Sequence, residues 1–263
     1  MEIIGYLASL LIGLVLGLLG GGGSILTIPI LIYLFHIDVT HATAYSLFIV
    51  GVTSFVGTIP KYKNQLVNLR TGTLFGLPSI AGIYVTRKWI VPAIPEVLFS
   101  LGSFVFTSRI FFLGLFAIMM VMAAVPMIRG PKVNQPSTPR FRVFLVIIEG
   151  ILIGLVTGLV GAGGGFLIIP ALVFLTDLPF KIAVGTSLYI ISINSLIGFT
   201  GDLLNIKMDW SLLLAVTALA TVGILIGNNA SKHINGSLLR QVFGWFTLAM
   251  GIIMICVEAI FKL

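Results

Sequence analysis

Charge is scarce in this chain: only 9% of its 263 residues are Asp, Glu, Lys or Arg, whereas a soluble domain carries about 25%. So few charges cannot cover a water-facing surface, so lipid must be most of the solvent and a sizeable soluble domain is excluded. A single cysteine, Cys256, rules out an internal disulfide and a multi-cysteine metal site. Three histidines (His36, His41, His233) and eight acidic residues, mostly near the ends of apolar runs, yield no metal-ligand spacing and no nucleophile–base pair. There is neither a Gly-x-Gly-x-x-Gly after a strand nor a Gly-Lys-Ser/Thr ending, so nothing cradles a nucleotide phosphate. The expectation is a protein that is not an enzyme and needs no cofactor. No Lys or Arg precedes the first apolar stretch and no Ala-x-Ala site follows it, so it is read as retained rather than cleaved.

What charge there is leans basic, +7 in all. The basic residues sit in short loops: Lys61, Lys63 and Arg70; Arg87 and Lys88; Arg129, Lys132, Arg140 and Arg142. Spread in this way they orient a membrane protein and do not form a nucleic-acid surface. Apolar runs fall at 3–20, 25–35, 42–60, 71–86, 96–108, 109–128, 142–161, 166–176, 182–201, 210–227 and 238–261. A spanning helix needs about 20 residues, so 25–35 and 166–176 read as half-helices that dip into the bilayer or complete a broken span. The fold class expected is an all-α polytopic membrane protein with about 8–10 membrane segments.

Glycine is abundant, with 30 residues, and its placement repeats. Residues 13–60 align without a gap on residues 154–201, 141 positions later, and 19 of the 48 pairs are identical. Residues 1–128 and 142–263 are therefore read as two internal repeats joined by a hydrophilic linker, 129–141, whose prolines and basic residues place it in the cytoplasm. Loop 61–70 holds three basic residues and no acidic one, whereas its counterpart 202–209 holds Asp202, Lys207 and Asp209. That asymmetry predicts inverted repeats with both termini outside, although Arg87 and Lys88 then fall on the wrong side.

In each repeat an apolar helix is interrupted by glycines, Gly20, Gly21, Gly22 and Gly23 in one and Gly163, Gly164 and Gly165 in the other. Unsatisfied backbone inside lipid costs several kcal/mol per group, so such a break survives only when packed in protein or lining a wet cavity. The half-helix that follows starts with free N–H groups and a positive partial charge, which suits an anion. Paired breaks of this kind point to a transporter's binding site. Gly13, Gly17, Gly150, Gly154 and Gly158 fit the small-xxx-small pattern and are assigned to helix packing.

The two Gly-rich turns leading to Pro29 and Pro170, the segment Lys181-Ile-Ala-Val-Gly-Thr-Ser-Leu188, and Asp209-Trp210 opening the next helix resemble the TauE/SafE family of sulfite and organosulfur-anion exporters. The resemblance covers essentially the whole chain. It implies a multi-pass carrier of the bacterial inner membrane, monomeric or homodimeric, for sulfite, sulfonates or thiosulfate. The first half departs from the pattern, with Thr40-His-Ala-Thr-Ala-Tyr-Ser-Leu47 where Thr-Ser is expected and Asn68-Leu69 in place of Asp-Trp.

Beside the glycines, Ser46, Thr186, Ser187 and Asn194 are the candidate substrate-binding residues, because hydroxyls and amides can donate to sulfonate oxygens without a buried charge. The polar stripe from Ser187 to Asn194 and Ser195 shares one helical face. The competing reading is that these hydroxyls bond to their own helical turn. His41 and Glu149 are the candidates for coupling, as a proton-linked switch and an intramembrane carboxylate. Export by alternating access around the two breaks is the function expected. A proton-coupled importer of sulfur anions and a non-transport membrane subunit are the alternatives.

Overall fold

Side chains normally hold helix axes 8–10 Å apart, so helices that meet through glycine approach more closely and announce their own pairing. The computed structural model describes residues 2–95, 97–101, 104–130, 139–161, 163–203 and 208–260. In chain order these form α1 (Glu2–Leu19), α2 (Gly22–Tyr33), α3 (Val39–Lys63) and α4 (Leu69–Val85). A π-helical turn (Thr86–Ile90), the single turn α5 (Val91–Ala93) and a two-stranded hairpin of β1 (Val97–Leu101) and β2 (Phe104–Thr107) follow. Then come α6 (Ser108–Arg129), α7 (Pro139–Val160), α8 (Gly165–Leu175), α9 (Phe180–Asp202), α10 (Trp210–Lys232) and α11 (Gly236–Ile260). Residues 131–138, the body of the expected linker, and Lys207 of loop 202–209 lie outside the described residues, as do the side chains of Arg109, Arg140 and Arg142.

The protein is a helical polytopic membrane protein. Within the described residues, α3, α6, α9, α10 and α11 are each long and apolar enough to cross a bilayer, and α1, α2, α7 and α8 contain shorter apolar helices. The half-helices expected at 25–35 and 166–176 are α2 and α8, 12 and 11 residues long. One apolar run behaves differently: 96–108 supplies the β1–β2 hairpin, with Leu101 opposite Phe104 and Val97 opposite Thr107. Its Val and Phe residues favour extended backbone, and it is too short to span as a helix.

Contacts at the pairing glycines, with two hydrogen bonds, give six of the helices a direction. A side chain on Gly13 would overlap Ala220, and one on Gly17 would lie 2.7 Å from the Asn228 amide nitrogen, so α1 and α10 run parallel. Gly150 meets Phe75, Gly154 meets Ser79 and Gly158 meets Ile83 and Thr86, so α4 and α7 also run parallel. Gly51 packs on Leu196 while Gly198 packs on Leu47, which makes α3 and α9 antiparallel. The Lys61–Ser231 hydrogen bond and the Asn194–Ser79 hydrogen bond then align α3 with α10 and α9 with α4. Hence α1, α3 and α10 point one way, and α4, α7 and α9 the other. Exchanging α1 with α7, α3 with α9 and α4 with α10 reproduces the same pairings, and the halves interlock, since α1 packs on α10 and α4 on α7.

Candidate functional site

The helix reversals at the glycine breaks build the centre of the molecule. Gly23 packs on Ile12 and Leu16 while Gly5 packs under the Phe35 ring, so α1 and α2 form an antiparallel hairpin that does not continue across. α7 and α8 form the corresponding hairpin, and because α7 runs opposite to α1 the two enter from opposite sides. Their tips touch: a Cβ on Gly21 would overlap the backbone of Gly165, and one on Gly165 would lie 2.6 Å from the Gly21 Cα. The tips turn differently. The first needs one left-handed residue, Gly20 (φ 76°), whereas the second needs Gly161, Gly163 and Gly164, at φ 75°, 64° and 75°. Glycine alone adopts this backbone without steric cost.

The expected roles of the glycines divide at Gly21. Gly22 and Gly23 already belong to α2 and pack it onto α1, against Val15 and Leu19 and against Ile12 and Leu16. Gly20, by contrast, faces α9: a Cβ there would lie 2.8 Å from Val184 and 3.1 Å from Ser187 Oγ. Gly163 faces the far end of the same helix, 2.6 Å from Ser195 Oγ on the same measure. The antiparallel pair α3 and α9 thus carries hydroxyls past both tips. Among the described residues the buried side-chain oxygens of Ser46, Thr53, Ser54 and Ser195, and the Asn194 carbonyl oxygen, have no hydrogen-bond partner. An unpaired buried acceptor or donor costs about 1–3 kcal/mol, so this cluster is available to a polar guest.

Two candidates are committed elsewhere. Ser187 donates to its own turn at Val184 O (2.8 Å), as the competing reading has it. The Thr186 hydroxyl accepts from the Asn68 amide (2.9 Å), and Tyr45, which aligns with Thr186, accepts from the Asp209 amide (2.7 Å) through its own hydroxyl. Each hydroxyl holds the residue that caps a helix of the other half, since Asn68 accepts from the Thr71 amide and Asp209 from the Ser211 and Leu212 amides. The two departures from the family pattern, Tyr for Thr and Asn for Asp, thereby preserve one structural device. Thr186→Val should cost about 1–3 kcal/mol by orphaning the Asn68 amide, and Tyr45→Phe a similar amount. Unfolding in detergent checks both, and a transport defect without a stability loss would return Thr186 to the substrate.

Neither coupling candidate reaches the tips. His41 sits at the open start of α3, paired with Asp38, which also caps that helix through the Thr40 and His41 amides. Glu149 is half-buried on α7 with one unpartnered oxygen, Oε2. It lies twelve residues before Gly161, about 18 Å along the helix.

Two residues escaped the sequence reading. Arg87, taken there for an orientation signal, is fully buried in the π-helical turn, and its Nη1 donates to Asp202 Oδ2 (3.2 Å) and Thr43 Oγ1 (3.1 Å). Its Nη2 lies where a side chain of Gly161 would be. The available signal was the charge that broke the topology scheme: Arg87 is no loop residue but half of an ion pair that ties α4 to α9 beside the second tip. Lys88, next to it, stands 5.4 Å from the ring centroids of both Tyr84 and Trp89, as interfacial lysines do.

Comparison with known proteins finds matches along nearly the whole chain. The family model described as sulfite exporter TauE/SafE matches residues 5–254. A probable membrane transporter protein of Xylella fastidiosa strain 9a5c is 31% identical over 256 residues, covering 93% of this chain and 91% of that one. The probable membrane transporter protein YunE of Bacillus subtilis is 27% identical over 263 residues, covering 92% of this chain and 93% of its own. No solved structure matches significantly.

Proposed function

Because the chain belongs to the sulfite exporter TauE/SafE family of membrane transporters, we propose that it carries a small sulfur-containing oxyanion, such as sulfite, a sulfonate or thiosulfate, out of the cytoplasm by alternating access. The observation that carries this reading is the meeting of two re-entrant hairpins, entering from opposite sides, at Gly21 and Gly165. The first turns of α2 and α8 bring free N–H groups and positive partial charge to that junction. The unpartnered hydroxyl of Ser195 lies beside Gly163 in the second of these hairpins. Hairpins that belong to duplicated, oppositely directed halves allow one rearrangement to open the junction on either side, as inverted-repeat carriers do.

Orientation follows from the helix directions. Lys61, Lys63, Arg70, Arg129, Lys181, Lys232 and Arg240 gather at the side where α3 and α10 end and α9 and α11 begin. The opposite side carries Asp38, Asp202 and Asp209, together with Lys88 and with Arg87, whose charge is paired with Asp202. The positive-inside rule makes the first side cytoplasmic and sets both termini outside. An inside-negative potential favours anion exit by about 2.3 kcal/mol per charge per 100 mV, so export needs no coupling ion.

The test is efflux of 35S-sulfite from preloaded proteoliposomes. Export should speed up when the lumen is made negative and slow on depolarisation. Accumulation that requires a proton gradient would overturn export in favour of coupled import, with Glu149 as the first carboxylate to replace.

A further inference from the structure

Arg87 shows where on the junction the anion's charge is met. The guanidinium has two faces to offer. Nη1 is spent on Asp202 and Thr43, while Nε and Nη2, the two donors of the side-on edge, are buried and have no partner among the described residues. A buried donor without an acceptor is uncommon in native proteins, and here two of them lie together on one edge. That edge is the one that grips a carboxylate or sulfur oxyanion with two parallel hydrogen bonds. It points at Gly161, where the left-handed turn (φ 75°) leaves no side chain and a Cβ would overlap Nη2. The π-helical turn that carries Arg87, closed by the Val91 amide bonding to Thr86 O, belongs to a class of distortion common at functional sites.

The other half lacks this arrangement. In the repeat alignment Gly20 stands for Gly161 and Val184 for Thr43, and the same offset of 141 carried beyond the aligned stretch sets Lys61 at Asp202 and Asn228 at Arg87. Asn228 is spent on Gly57 O (2.9 Å), and the buried Lys61 on Ser231 Oγ (2.7 Å). Among the described residues, the second tip has a planar cation with an open edge and the first has none.

We infer that the Nε–Nη2 edge of Arg87, beside Gly161 at the tip of the α7–α8 hairpin, is the charged binding site for a trigonal or tetrahedral sulfur oxyanion, with Asp202 as its standing counter-ion. The inference rests on the anion-carrier reading. As the molecule stands the edge is closed over by Gly161, so the anion enters when the tip draws back. Asp202 neutralises the arginine while the site is empty, and a bound anion competes with it for the same cation.

The experiment measures sulfite affinity of the detergent-purified full chain from ligand-induced thermal stabilisation, with chloride as the control anion. Arg87→Lys keeps the positive charge beside Asp202 but loses the two-donor edge, and should weaken sulfite binding by at least tenfold. Asp202→Asn removes the competitor and should tighten it by threefold or more, a change of sign that a purely structural ion pair would not give. Lys61→Gln should stay within threefold of wild type. Arg87→Lys binding within threefold of wild type, or Asp202→Asn binding unchanged or weaker, overturns the site. If Arg87→Lys does not fold, the Asp202→Asn result decides alone. A wild type that sulfite, thiosulfate and methanesulfonate all fail to stabilise overturns instead the carrier reading on which the site depends.

Discussion

Asp202→Ala should be among the most destabilising single substitutions in the molecule, at about 3–5 kcal/mol, because it leaves a buried guanidinium without its counter-charge. Arg87 is fully buried and Asp202 nearly so, at 0% and 3% exposure, and their contact (3.2 Å) joins the end of α9 to the turn after α4. Packed protein shuts both side chains off from water, so water cannot take over the role of the lost carboxylate. The loss comes from the stranded charge and not from the bond itself. Arg87→Met combined with Asp202→Leu should therefore recover most of the stability while abolishing sulfite binding. Denaturant unfolding of both variants in the same detergent measures this. A double variant as unstable as Asp202→Ala would mean that the pair holds α4 and α9 through geometry that apolar side chains cannot replace.

That pair also marks the boundary of what the chain discloses as text. The helical class, the half-helices α2 and α8 and the break glycines follow from run length and from glycine itself, which are local properties. The expectation of oppositely directed halves rests on a difference in loop charge alone. Arg87 blurred it, because a buried arginine and a loop arginine look identical until the neighbour across the fold, Asp202, is placed 115 positions away. Thr186 conceals its contact for the same reason: the Asn68 amide that donates to its hydroxyl lies 118 residues back. Gly22 and Gly23 were grouped with Gly20 and Gly21 because a run of four gives no internal boundary. Only the start of α2 at Gly22 separates the turn from the packed helix. For Arg87 and Thr186 the missing information is a long-range contact, which no period or propensity encodes.

The meeting point of the hairpins supplies the second large effect. Gly21 has φ −118°, a backbone any residue adopts, so Gly21→Ala adds no local strain and acts only through the methyl forced into Gly165. The obstacle is backbone on the opposing tip, which cannot rotate aside, and overpacking of this kind costs about 1–3 kcal/mol. Gly164→Ala meets Thr157 and must also hold φ 75°, which adds about 1–2 kcal/mol of left-handed strain. Gly114, in α6, has open space where its Cβ would be. Its replacement by alanine should stabilise the protein by up to about 1 kcal/mol through helix propensity. The order of unfolding midpoints should then be Gly114→Ala above wild type, Gly21→Ala below it and Gly164→Ala lowest. Transport separates function from stability. Gly21→Ala, with its tips wedged apart, should lose most sulfite efflux under conditions where it remains folded, because the alternating access proposed above opens this junction to one side at a time. Folded Gly21→Ala that exports sulfite at the wild-type rate would show that the tip contact is packing alone, and would move the path of the anion away from the glycines.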